Sequence, residues 1–159
     1  MTHTISALAK NEPGVLAEMS EAIRKYNVNI KSISAGETEN PDVTRMTIGL
    51  DGQEEDILKI TSDIAEMDVI IQVDDLARKE FVDRELVLIK VAMEPATTPQ
   101  IMQIFEVFRA NVVGMGQETM TVEMSGDREK IDGLIKMLKP HGIKSLCRSG
   151  MIALKRGDD

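Results

Sequence analysis

Met46-Thr47-Ile48-Gly49-Leu50-Asp51-Gly52 returns further along the chain as Met120-Thr121-Val122-Glu123-Met124-Ser125-Gly126. In both copies apolar residues fall at alternate positions, as on a strand with one buried face, and a glycine closes the run. Ile57 and Ile131 follow at the same offset, each inside a helical pattern. Asn29-Ile30 and Asn111-Val112 stand around the preceding strand in each half. The chain therefore reads as one structural unit used twice.

Working outward, residues 4–9 alternate as a strand. Val15, Leu16, Met19, Ala22, Ile23 and Tyr26 then form one helical stripe. Asn11 is placed to cap that helix, Pro13 falls just inside its start, and Asn27 can end it in a left-handed conformation. Val28, Ile30 and Ile33 open a second strand. Gly36–Asp42 is a turn, and residues 43–50 are a third strand. Ile57, Ile60, Ile64 and Met67 mark a second helix, and Val69–Leu76 a fourth strand. The second half runs the same way. Glu85–Met93 is a strand, and a helix starting at Thr97-Thr98-Pro99 carries Ile101, Ile104, Phe105 and Phe108. Asn111–Gly116 and Thr119–Met124 are strands. Asp127 opens a helix carrying Ile131, Leu134, Ile135 and Leu138, and Ile143–Leu154 is a last extended stretch. This β-α-β-β-α-β order, repeated, predicts an α+β fold of two tandem ferredoxin-like domains, each an antiparallel sheet with its helices on one face. The expected division is a first domain over 1–77, a polar linker over 78–83 and a second domain over 84–159. Each half is small for independent stability and leaves one sheet face without helices, so that face or a sheet edge is expected to pair with another chain.

Composition narrows the function. The chain has 159 residues, 42% hydrophobic and 29% charged, as a globular protein does. No apolar run approaches the ~20 residues that cross a bilayer, and Met1-Thr2-His3-Thr4 lacks the basic start of a signal peptide, so a cytoplasmic location is expected. With 27 acidic against 19 basic residues the net charge is −8, which repels nucleic acid. Tyr26, Phe81, Phe105 and Phe108 are the only aromatic residues, too few for a base-stacking platform. Cys147 is the only cysteine, which excludes an internal disulfide and a multi-cysteine zinc site; a buried thiol is the expectation. The methionines can fill core gaps that aromatic residues leave.

Catalytic groups are hard to find. His3 stands at a terminus expected to fray, and His141 lies in the Pro140-His141-Gly142 turn; neither has metal-ligand spacing. Glu54-Glu55-Asp56 reads as helix N-terminal charge and Asp74-Asp75 as solvated surface. Gly114-Met115-Gly116 lacks the third glycine of a dinucleotide site. No catalytic residue and no metal site is assigned.

The segment Asn11-Glu12-Pro13-Gly14-Val15-Leu16 has a different use. It reads as a strand end, a tight loop and a helix N-terminus whose N–H groups have no intrahelical partner. Such an end suits a small anion such as a carboxylate. Gly14 lets a ligand approach the backbone. Asn29 offers an acceptor and a donor, able to read the ammonium and carboxylate of an amino acid. On spacing alone, the reading of Asn11 and Asn29 as simply a cap and a strand-edge residue is the favoured one.

Six segments together resemble the regulatory (small) subunit of acetolactate synthase, also called acetohydroxyacid synthase. They are Asn11–Leu16, Asn29-Ile30, Thr44-Arg45-Met46-Thr47-Ile48, Val82-Asp83-Arg84-Glu85-Leu86, Ile104-Phe105-Glu106-Val107-Phe108-Arg109-Ala110 and Arg148-Ser149-Gly150-Met151-Ile152-Ala153-Leu154-Lys155-Arg156-Gly157. The resemblance runs from about residue 3 to the C-terminus. It implies an ACT domain first and a second ferredoxin-like domain after it. It also implies a chain that is not an enzyme by itself. Such a chain binds a catalytic subunit that condenses pyruvate with pyruvate or 2-oxobutyrate, raises its activity and makes it sensitive to feedback inhibition, usually by valine. Thiamine diphosphate, magnesium and FAD would belong to that catalytic subunit, and none to this chain. ACT domains of the family pair into dimers and bind the amino acid where two meet. The residues carried over to that site are Asn11, Gly14, Val15, Leu16, Asn29 and Ile30. Two departures stand out: Asn27-Val28 replace the Gly-Tyr frequent before the second-strand Asn, and Gly114 replaces a frequent acidic residue. The first leaves leucine or isoleucine open as effectors beside valine. A free-standing ACT-type amino-acid sensor acting on another enzyme or on transcription is the alternative; a small enzyme on the same scaffold would need an acid–base pair that the sequence does not offer.

Overall fold

The computed structural model describes residues 2–158 and begins with β1 (Thr2–Lys10), whose Ile5, Ala7 and Ala9 point to one side and are fully buried. Next come α1 (Val15–Arg24), β2 (Asn29–Glu37), β3 (Val43–Asp51), α2 (Glu54–Ala65) and β4 (Ile70–Asp75). The second half contains β5 (Phe81–Ala92), α3 (Thr98–Phe108), β6 (Asn111–Met115), β7 (Thr119–Gly126), α4 (Arg128–Leu138), β8 (Ile143–Arg148) and β9 (Ile152–Lys155). The first sheet has the order β2-β3-β1-β4 and the second the path β6-β7-β5-β8, with β9 paired to β5. Both are antiparallel sheets of ferredoxin-like β-α-β-β-α-β units with their helices on one face.

Helices form where a stripe meets suitable ends. Val15, Met19, Ala22 and Ile23 of α1 bury against β1 and β3 residues, with Glu18 in the first turn and Arg24 in the last, each suiting the helix dipole. In α4 the Asp127 carboxylate accepts from Lys130 N at 2.9 Å, the cap that the sequence predicts. α3 starts after Thr97 with Pro99 in its first turn. It ends on Arg109 in the left-handed region (φ 57), where the N–H groups of Arg109 and Ala110 return to Glu106 and Phe105.

Three helix-end expectations are corrected. Asn11 does not cap α1: Gly14 takes the cap position and no side chain bonds there. Pro13 consequently lies before the helix. Asn27 is not left-handed, because α1 closes at Lys25 in right-handed geometry and Arg109 is the only described non-glycine residue with positive φ. Tyr26 finishes the turn through its N–H to Ile23 O, while its hydroxyl donates to Asp63 at 2.7 Å.

The edge strands β2 and β6 carry a bulge at corresponding places, between Ile30 and Ser32 in β2 and between Val112 and Gly114 in β6. The extra residue explains how Ile30 and Ile33, three apart, share a face: Ile30 stands opposite Leu50 and Ile33 opposite Ile48.

The chain divides into two compact units, one reaching to Val82 and resuming at Met151, the other spanning Asp83–Gly150. β5 already starts at Phe81, inside the stretch read as a linker, and the C-terminal residues return to the first unit. Gly150, at φ 80, breaks the last extended stretch into β8 and β9. Met151 and Ala153 are buried, Arg156 N donates to Glu80 O at 3.0 Å, and Lys155 Nζ lies 3.1 Å from Asp74 Oδ2. Asp74 stands opposite Ser6, on the face turned away from the helices. Thr4, Ser6 and Thr47 of that face are also buried, so in the first unit it is not left bare for another chain.

Candidate functional site

β1 ends at Lys10, opposite Val43, and the loop after it is tied down along its length. Lys10 N donates to Val69 O at 2.8 Å and Asn11 N to Asp42 O at 2.8 Å. The Asn11 side chain does not cap α1 but holds the β2–β3 connection, donating Nδ2 to Pro41 O at 2.9 Å and to Glu37 Oε1 at 3.2 Å. Its role in the loop is therefore that of a strut. Gly14 sits at φ 87, and a Cβ built there would meet nothing within 4 Å. The first turn of α1 closes with Glu18 N to Gly14 O, so the N–H groups of Val15, Leu16 and Ala17 have no partner inside the helix. Val15 buries its side chain in the core while Leu16 is half exposed. The result is a bare helix N-terminus behind a glycine with free space in front of it.

Asn29 and Ile30 lie elsewhere. Asn29 pairs with Asp51 and Asp51 with Thr2, at the far end of the sheet from Lys10 and Val43. Eight residue steps of strand separate the two ends, roughly 26 Å. One chain thus gathers Asn11, Gly14, Val15 and Leu16 at one end of the sheet and holds exposed Asn29 and half-buried Ile30 at the other. Both groups border β2, an edge strand with no neighbour on its outer side among the described residues. Glu37, at the loop end of β2, touches Asn11 and was not singled out by the sequence. Neither periodicity nor motif marks it, because only the β2–β3 register brings it to the loop.

Other titratable groups are corrected by the structure. His3 is buried rather than frayed, its ring nitrogens make no hydrogen bond, and Asp75 Oδ1 lies 3.9 Å from Nδ1. Asp74 and Asp75 are not solvated. Asp75 accepts from Ala77 N at 3.0 Å. Burial is the strongest single influence on Asp74 and opposes its charge, but hydrogen bonds from Lys79, Gln72 and Lys155 together outweigh it and hold its carboxyl below the usual range. In the second unit Arg148 donates to both oxygens of buried Glu85 and, at 3.0 Å, to Asp132. The bond to Glu85, set against partial burial, raises the Arg148 pKa. Cys147 is exposed on the edge strand β8, not buried. Among the described residues no group of three or more His, Cys, Asp or Glu is arranged to hold a metal ion, and no helix is long and apolar enough to cross a membrane.

Comparison with known proteins gives the family. A family described as "AHAS small subunit-like ACT domain" matches residues 5–72, and one described as "Small subunit of acetolactate synthase" matches residues 84–157. An acetolactate synthase small subunit of Mycolicibacterium smegmatis is 36% identical over 98% of this chain and 92% of its own length. A probable acetolactate synthase small subunit of Archaeoglobus fulgidus is 34% identical over 99% of each. The crystal structure of the acetolactate synthase small subunit from Thermotoga maritima superposes with a TM-score of 0.86 at 28% identity, covering 100% of this chain and 99% of that one. Two ferredoxin-like units in this order, an ACT domain matched in the first, and similarity to these proteins over 98–99% of the chain place it in one family: it belongs to the acetolactate synthase small subunits.

Proposed function

We propose that this chain is the non-catalytic regulatory subunit of an acetolactate synthase. It binds the catalytic subunit, raises its activity and confers feedback inhibition by a branched-chain amino acid, valine before leucine or isoleucine. Thiamine diphosphate, magnesium and FAD belong to the catalytic subunit, and the complex works in the cytoplasm. The observation that carries the effector site is the placement of its two halves at opposite ends of an unpaired edge strand. Antiparallel pairing of β2 with β2 of a second copy, centred on Ile33, sets Asn29 of each copy beside the Glu37 end of the other. The loop Asn11–Leu16 of one copy then meets Asn29-Ile30 of the other at two equivalent places. The helix N-terminus takes the effector carboxylate and Asn29 closes the site. Occupancy favours the dimer arrangement that binds it better, and only that difference in affinity can inhibit the catalytic subunit. Calorimetric titration of valine into the purified chain tests the site. Asn29→Ala and Gly14→Asp each weaken binding by tenfold or more, about 1.4 kcal/mol. Unchanged affinity in both variants refutes the site.

A further inference from the structure

Glu37 is the last residue of β2. It stands opposite Thr44, and Thr44 opposite Ala9, so all three share the face that carries the helices. Its Oε1 accepts from Asn11 Nδ2 at 3.2 Å, and Asn11 Nδ2 also donates to Pro41 O at 2.9 Å. With its two amide protons used inside the loop, Asn11 has only Oδ1, an acceptor, left for a ligand. Glu37 is exposed, and no Lys or Arg pairs with it among the described residues. The α1 N-terminus, a few residues along the loop, offers donors, while Asn11 Oδ1 and the Glu37 carboxylate offer acceptors alone. Such a pair of surfaces suits a ligand carrying an ammonium and a carboxylate on neighbouring atoms. It also works against a ligand with the carboxylate only, which meets like charge and gives Glu37 no partner.

Resting on the reading of this loop as an effector site, we propose that Glu37 reads the effector's ammonium group. With Asn11 Oδ1 it makes the site accept an α-amino acid and refuse the desamino or 2-oxo acid of the same side chain. Glutamine at this position keeps an oxygen for Asn11 Nδ2, so Glu37→Gln preserves the loop and removes only the charge. The test is calorimetry on the full chain with valine, leucine and isoleucine, and with the desamino and 2-oxo acids of whichever amino acid binds, 3-methylbutanoate and 3-methyl-2-oxobutanoate for valine. The wild-type chain binds at least one of the amino acids and neither of the two analogues comparably. Glu37→Gln weakens that amino acid about 10- to 100-fold, as loss of a charged hydrogen bond does, while the analogues bind no more weakly than before. Glu39→Gln, which removes an exposed charge two residues away, binds as the wild type does. Wild-type affinity in Glu37→Gln, an equal loss in Glu39→Gln, or wild-type binding of the analogues as tight as that of the amino acid overturns the role of Glu37. A wild-type chain that binds none of the three amino acids overturns the effector reading itself.

Discussion

Gly52 shows how closely single residues are fitted. A Cβ there would stand 2.6 Å from Val28 Cγ2 and 3.3 Å from Val28 Cβ and Cγ1. Valine is stiff at χ1 and cannot swing aside without leaving its rotamer. Gly52→Ala is therefore expected to cost about 1–3 kcal/mol in urea unfolding. Val28→Ala removes the clash, so the double variant should lose less than the sum of its singles; strict additivity would contradict the packing. Asp74 makes a second case. Its native pKa is lowered below the ordinary 3.8, so its stabilisation is present above about pH 4 and lost as the pH falls through the lowered native value. Asp74→Asn should lower the urea midpoint at pH 7, and its deficit against the wild type should shrink at pH 3. A deficit equal at both pH values would show that the charge of Asp74 does not stabilise the fold. At this scale the sequence was least legible. Asn11 has the side chain of a cap, yet the glycine three residues on can adopt a φ that moves the helix start to itself. That frees Asn11 to hold the β2–β3 connection.

Elements were more legible, because hydrophobic periods of two and 3.6 survive without tertiary knowledge. The strands and helices of both halves lie where their patterns put them, and Asp127 and Thr97-Thr98-Pro99 start the helices they signal. The misses have physical reasons. Residues 81–83 look polar enough for a linker, yet a strand buries alternate residues only and starts at Phe81. The break between β8 and β9 needs a single glycine, and nothing local tells that residues 151 onward return to the first unit. β2 is the element on which the proposed dimer depends. Ile33 is its midpoint, over a third exposed and facing the helix side at the edge. Ile33→Asp sets two like charges against each other across the two-fold, and sedimentation should show the dimer dissociating toward monomer with the fold retained by circular dichroism. A dimer of undiminished strength would place the association elsewhere.

For the whole molecule, duplication was visible in two short matching runs, but the two units are not functional copies. Only the first has a glycine with open space before a bare helix N-terminus. In the second the equivalent turn is closed by Thr97 and Thr98, whose backbone N–H groups and hydroxyls return to Glu94 O. Asn11, Gly14, Val15 and Leu16 were legible as a group because they fall within six residues of sequence, and Asn29 and Ile30 were named through the family resemblance. That the two groups stand at opposite ends of β2 was not legible, since it follows from strand order and register. The central claim is that this chain governs a catalytic subunit through that site. The most direct measurement is acetolactate formation by an acetolactate synthase catalytic subunit, with and without this chain, across a valine titration. Faster formation when the chain is added, with inhibition by valine that the catalytic subunit alone does not show and that Gly14→Asp abolishes, is the predicted result. No stimulation and no added valine sensitivity would contradict it.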